Sequence, residues 1–176
     1  CLPSHFSPFT SDLFRNGFSS TSSISNTSQG IPKLGRTKKM NEQENTKTAK
    51  RIYELFKSGD VEGFFSMFSD DVTWETPKVE NTPFNGKISG HENLVNWITM
   101  YSDAEELLVF EQDEFIAQGD KVVVLGHCVA RTKSTNKEYA TNVVHILTVR
   151  DDKITGFLEL FDTAAAEKAY ALAQTA

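Results

Sequence analysis

The chain has 176 residues, is 39% hydrophobic and carries thirteen Phe and a formal net charge of −6. That suits one domain of ordinary size with a sizeable core, and the acidic balance argues against nucleic-acid binding, which needs a basic face. No apolar run approaches the length of a helical membrane span, and two cysteines, Cys1 and Cys128, cannot build a disulfide framework.

The charge is unevenly spread. Residues 1–39 hold five basic residues and one acid, a net +4 that leaves −10 for the remainder. Nine residues of this stretch are Ser, and its hydrophobic residues are isolated. Such a segment buries too little apolar surface to offset the entropy of ordering. A basic, Ser-rich, acid-poor leader fits an organelle transit peptide. Equally, Met40 fits the true start, with upstream sequence before it. The first reading goes with an organellar location and the second with a cytoplasmic one. Both divide the chain into a disordered leader over 1–40 and a folded domain over 41–176.

From Asn41 the composition is globular. Ala49, Ile52, Tyr53, Leu55 and Phe56 recur at helical spacing, and Ser58-Gly59-Asp60 stops that helix. Asp60 then N-caps a second helix with Val61, Phe64, Phe65 and Phe68 on its apolar face, ended by Ser69-Asp70-Asp71. Val72–Thr76 alternates like a short strand closed by Pro77, and residues 78–88 read as a loop. Ser89-Gly90-His91-Glu92 fits a capping box with Ser89 at the N-cap. The third helix buries Leu94, Trp97, Ile98 and Tyr101.

After Asp103 the period drops to two. Strands are expected over 106–118, 121–131, 138–149 and 153–161, joined by short turns into an antiparallel meander. The Ala-rich tail after Asp162 makes a short helix at best, with Asp162 as its N-cap or as a pocket residue. Helices followed by strands imply α+β. Three N-terminal helices would pack on a strongly curved, mostly antiparallel sheet of four or five strands, a cone-like barrel enclosing an apolar pocket.

Val143–Asp162 draws the chemistry together. Each arm of this hairpin carries one ionisable residue in an apolar run, His145 and Glu159. A three-residue loop with a bulge sets the two directly opposite, Cβ atoms about 5 Å apart. A two-residue loop would face His145 with Leu158 and turn Glu159 to the other side. A carboxylate and an imidazole in an apolar cavity can do acid–base work. Glu159 would move a proton next to a substrate carbonyl, with His145 tuning it or bonding the enolate. Alternatively the pair, with Tyr53, is a structural polar network. Phe64, Trp74, Trp97, Phe115 and Phe157 are candidates to line the pocket or simply to fill the core. Four His and two Cys show no metal-ligand spacing, so no metal is expected. No phosphate loop or Ser-His-Asp signature occurs.

Gly59-Asp60-Val61-Glu62 leading to Phe68-Ser69-Asp70-Asp71-Val72-Thr73-Trp74-Glu75-Thr76-Pro77 resembles SnoaL-like polyketide cyclases and ketosteroid isomerase-like proteins. These belong to the nuclear transport factor 2-like superfamily. Ser89–Glu92 and the run from His145 to Asp162 are similar to its third-helix start and final hairpin. The resemblance implies an apolar small-molecule ligand, a homodimer, and neither metal nor organic cofactor. Thr76 stands where steroid isomerases carry their catalytic Asp. Ile52, with Tyr53 one step off, and Asn142 stand near their oxyanion groups, so that constellation is absent. Gly126-His127-Cys128 stands where epoxide hydrolases of this fold need further triad members. The cyclase arrangement, a carboxylate on the last strand and a His on the strand before it, is matched by Glu159 and His145, with Glu in place of Asp. The implied activity is a cofactor-independent isomerase, cyclase or hydratase. The alternative is a non-catalytic ligand-binding or dimerisation module of the same fold, or an interaction adaptor.

Overall fold

A computed structural model describes residues 42–82 and 86–172. The leader expected over 1–40 lies outside the described residues. The elements are α1 (Glu42–Ser58), α2 (Val61–Ser66), β1 (Phe68–Thr76), β2 (Gly86–Ser89), α3 (His91–Ala104), β3 (Glu105–Gln118), β4 (Lys121–Thr132), β5 (Glu138–Arg150), β6 (Lys153–Phe161) and α4 (Thr163–Tyr170). The strands form one six-stranded sheet in the order β2-β1-β6-β5-β4-β3. Every pairing is antiparallel except β1 on β6.

The expected α+β layering is present, and the β3–β6 meander follows the chain as expected. Three features differ. First, Phe68 belongs to β1, not to the second helix. Helix α2 stops at Ser66 because the Met67 carbonyl accepts from the Ile154 amide at 2.8 Å and Phe68 pairs with Ile154. A buried Phe satisfies helical and strand patterns alike, and the sheet partner decides. Second, the expected loop holds β2, so the sheet has six strands rather than four or five. Third, Ser89 ends β2 and does not cap α3. Gly90 is the N-cap, at φ 90°, with no side-chain cap bond. The Gly90 amide donates to the Val72 carbonyl at 2.8 Å, tying the turn to β1.

Other local signals act as expected. Asp60 caps α2 by accepting from the Gly63 amide at 2.8 Å. Helix α1 lays Ala49, Ile52, Tyr53 and Leu55 on the sheet, all buried. These meet Phe64, Phe65, Trp97 and Ile98 from α2 and α3, and Trp74, Val124, Leu147 and Phe157 from the strands. Trp74 and Phe157 stack at 3.9 Å between centroids and 2° between planes, across the parallel β1–β6 seam. Burying one such ring contributes roughly 2–3 kcal/mol.

The β5–β6 register depends on turn chemistry. Asp151 and Asp152 both have positive φ, 51° and 61°, so the loop has two residues with the handedness of a primed turn. Arg150 pairs with Lys153 and Val149 with Ile154. Thr155 is then an extra residue on β6, and from Thr148↔Gly156 onward the register is shifted by one. His145 therefore faces Glu159. The expected pairing is reached, but the bulge lies inside the strand and not in the loop.

Candidate active site

β5 sends Tyr139, Thr141, Val143 and His145 to one face at period two, and β6 adds Phe157 and Glu159. With α1, α2 and α3 these strands enclose a cavity walled chiefly by aromatic rings. The cavity volume is about 80 Å³. Of the residues singled out from sequence, Tyr53, Phe64, Trp74, Trp97, Phe157, His145 and Glu159 all line it. Phe115 does not. It is half-buried, meets the Tyr53 ring edge-on at 5.9 Å and lies under the Lys50 ammonium. Asp162 does not either. It is exposed and caps α4, accepting from the Ala164 and Ala165 amides.

His145 is buried and held at both nitrogens. Tyr53 Oη lies 2.8 Å from Nδ1, and Glu159 Oε1 lies 3.3 Å from Nε2. Burial first, and the Glu159 charge second, hold the Tyr53 phenol well above its usual range. Tyr53 therefore keeps its proton and donates to Nδ1. That assignment puts the ring hydrogen on Nε2, which donates to Glu159. Glu159 is the exposed end of this chain, its side chain 22% accessible against 5% for His145. Among the described residues its second oxygen, Oε2, has no hydrogen-bond partner.

A second buried carboxylate was not singled out from the sequence. Glu105, the first residue of β3, is 2% exposed. Tyr139 Oη donates to it at 2.9 and 3.0 Å to its two oxygens, and Tyr170 Oη at 2.8 Å. Tyr101 is a third phenol that favours its charged form. Burial pushes the Glu105 carboxyl up, and the three phenols pull it partly back. The same burial raises Tyr139 and Tyr170 and pushes the Cys128 thiol up to about 12. Glu105, Tyr139, Tyr170 and Thr76 line a second, smaller chamber of about 40 Å³. Trp97, Tyr101, Cys128, Val143 and Glu159 belong to both chambers. A period-two reading carried back from His145 reaches Tyr139, and one carried back from Leu107 reaches Glu105. Tyr170 arrives only through the docking of α4, which no local pattern announces. Among the described residues no group of three His, Cys, Asp or Glu could hold a metal, and no helix is long and apolar enough to cross a membrane.

Residues 49–157 match the SnoaL-like domain family. This chain belongs to that family. The SnoaL-like domain has the nuclear transport factor 2-like fold, and solved structures share it. One is a nuclear transport factor 2-like protein from Burkholderia xenovorans, 32% identical, with a TM-score of 0.68, covering 75% of this chain and 99% of its own. Another is TerC co-crystallised with polyporic acid, 28% identical, with a TM-score of 0.63, covering 72% and 98%. A third, from Burkholderia pseudomallei, is 24% identical with a TM-score of 0.67, covers 73% and 98%, and speaks for the fold alone. No curated protein matches the SnoaL-like chain in sequence.

Proposed function

We propose that this SnoaL-like domain binds an apolar, ring-containing carbonyl compound and moves a proton on it without a cofactor, with Glu159 as the acid–base group. The observation that supports this most is the free Oε2 of Glu159 in an aromatic cavity, with Oε1 tied to His145. Glu159 takes a proton from the carbon next to the carbonyl, the C–H electrons form the enolate, and the proton returns to a different carbon or oxygen. His145 orients the carboxylate through its Nε2–H, and Tyr53 fixes that tautomer through Nδ1. The indole N–H of Trp74 is buried without a partner among the described residues and belongs to the same wall. An enolate oxygen is an acceptor that would satisfy it. TerC, which shares this fold, was co-crystallised with a small molecule, polyporic acid. The reading includes a homodimer, for which Val109, Ile116 and Leu160 leave exposed apolar surface.

The test is exchange of the acidic C–H of β-tetralone, an apolar cyclic ketone, for deuterium in D₂O. The wild-type protein should accelerate exchange above the buffer rate. Glu159→Gln, nearly isosteric, should cut the acceleration by about a thousandfold, within the usual range for a general base. Equal acceleration by the variant would remove Glu159 from the role.

A further inference from the structure

The Glu105 chamber is wider in consequence than a packed polar core. A carboxylate offers about four acceptor positions. Two phenols, Tyr139 and Tyr170, donate to Glu105, which leaves acceptor capacity for a further donor. Glu105 itself forms part of the chamber wall. The same chamber is lined by Thr76, 6% exposed, whose Oγ1 is buried with no hydrogen-bond partner among the described residues. An unpaired buried hydroxyl costs stability unless something occupies the space beside it. Both chambers meet at Glu159. A ligand whose carbonyl faces Glu159 thus has a polar compartment adjoining the aromatic one that holds its rings.

We propose that this chamber is a second polar subsite, which holds a hydroxyl of the ligand. The hydroxyl donates to the Glu105 carboxylate, and the Thr76 hydroxyl donates to the same oxygen. The substrate class narrows to hydroxylated, ring-type carbonyl compounds, phenols foremost. This rests on the acid–base reading of Glu159 for the placement of the carbonyl. A site built to bond a hydroxyl discriminates against the analogue lacking it, because its polar groups are then left unpaired.

A matched pair tests it: β-tetralone and the analogue carrying a phenol on its far ring. Titration calorimetry on the full chain gives the ratio of the two dissociation constants. Wild type should prefer the phenol by about tenfold or more. Thr76→Val, which keeps the shape, should reduce the ratio about threefold, and Glu105→Gln should bring it near one. A wild-type ratio near one overturns the subsite, as does a ratio that Thr76→Val and Glu105→Gln leave intact. If Glu105→Gln does not fold, Thr76→Val alone decides. Deuterium exchange on the same samples separates the two readings. Glu159-dependent exchange with no phenol preference overturns only the subsite. Phenol preference without exchange supports the subsite and removes the catalytic role of Glu159.

Discussion

At the scale of single residues, the site is a chain of three groups in which each fixes the next. Tyr53 holds Nδ1 of His145, and His145 holds one oxygen of Glu159. Tyr53→Phe leaves a buried imidazole nitrogen unpaired. The expected cost is about 1–3 kcal/mol in a urea melt, with deuterium exchange slowed and not abolished. Cys128 gives a chemical check on the dryness of the interior. With its thiol pushed up to about 12, the thiolate at pH 8 is roughly one part in ten thousand, so iodoacetamide should label it far more slowly than glutathione. Glu105 supplies a pH signature. Its folded value is raised from 4.5 by burial, so the folded state holds the proton more tightly than the unfolded chain. The resulting stability is fully present below about 4.5 and is lost as pH rises through the folded value. The stability advantage of wild type over Glu105→Gln should therefore be larger at pH 4 than at pH 8. Sequence made His145 and Glu159 conspicuous as lone charges in apolar runs. Glu105 hid because it sits at a helix–strand junction beside Glu106, where two acids read as a solvated turn.

At the scale of elements, one inserted residue decides whether an acid and an imidazole share a face. The primed turn at Asp151-Asp152 alone would have paired His145 with Leu158, and the Thr155 bulge corrects it. Turn handedness was not legible, because Asp adopts positive φ less readily than the Asn or Gly that usually announce such turns. The bulge leaves no periodic trace in a continuous apolar run. Phe68 was misplaced for a similar reason, since its end of β1 is held by the distant strand β6. A second irregularity is testable at Gly126 on β4. A Cβ there would lie 2.2 Å from the Glu111 carbonyl oxygen, beside the β3 bulge at Gln112/Glu114. That contact is with backbone, so the strands must part. Gly126→Ala should lower stability by about 1–3 kcal/mol or more in denaturant unfolding. Asp162→Ala, which removes only the α4 cap, should cost about 1 kcal/mol.

At the scale of the molecule, helices on one face of a six-stranded sheet leave an aromatic-lined cavity between the two layers. The class of fold was legible because amphipathic helices and period-two strands are strong signals, and local turns keep the meander in order. The parallel β1–β6 seam was not, since it joins the two halves of the chain and no local pattern specifies it. That seam matters, because it stacks Trp74 on Phe157 and completes the cavity wall. The whole arrangement makes one demand that a packed core does not: binding and proton transfer must separate when one atom is changed. The most direct measurement takes Glu159→Gln and determines its dissociation constant for β-tetralone and its deuterium-exchange rate on one preparation. Binding should stay within about threefold of wild type while exchange falls about a thousandfold. Exchange that persists in the variant, with binding intact, would contradict a catalytic Glu159.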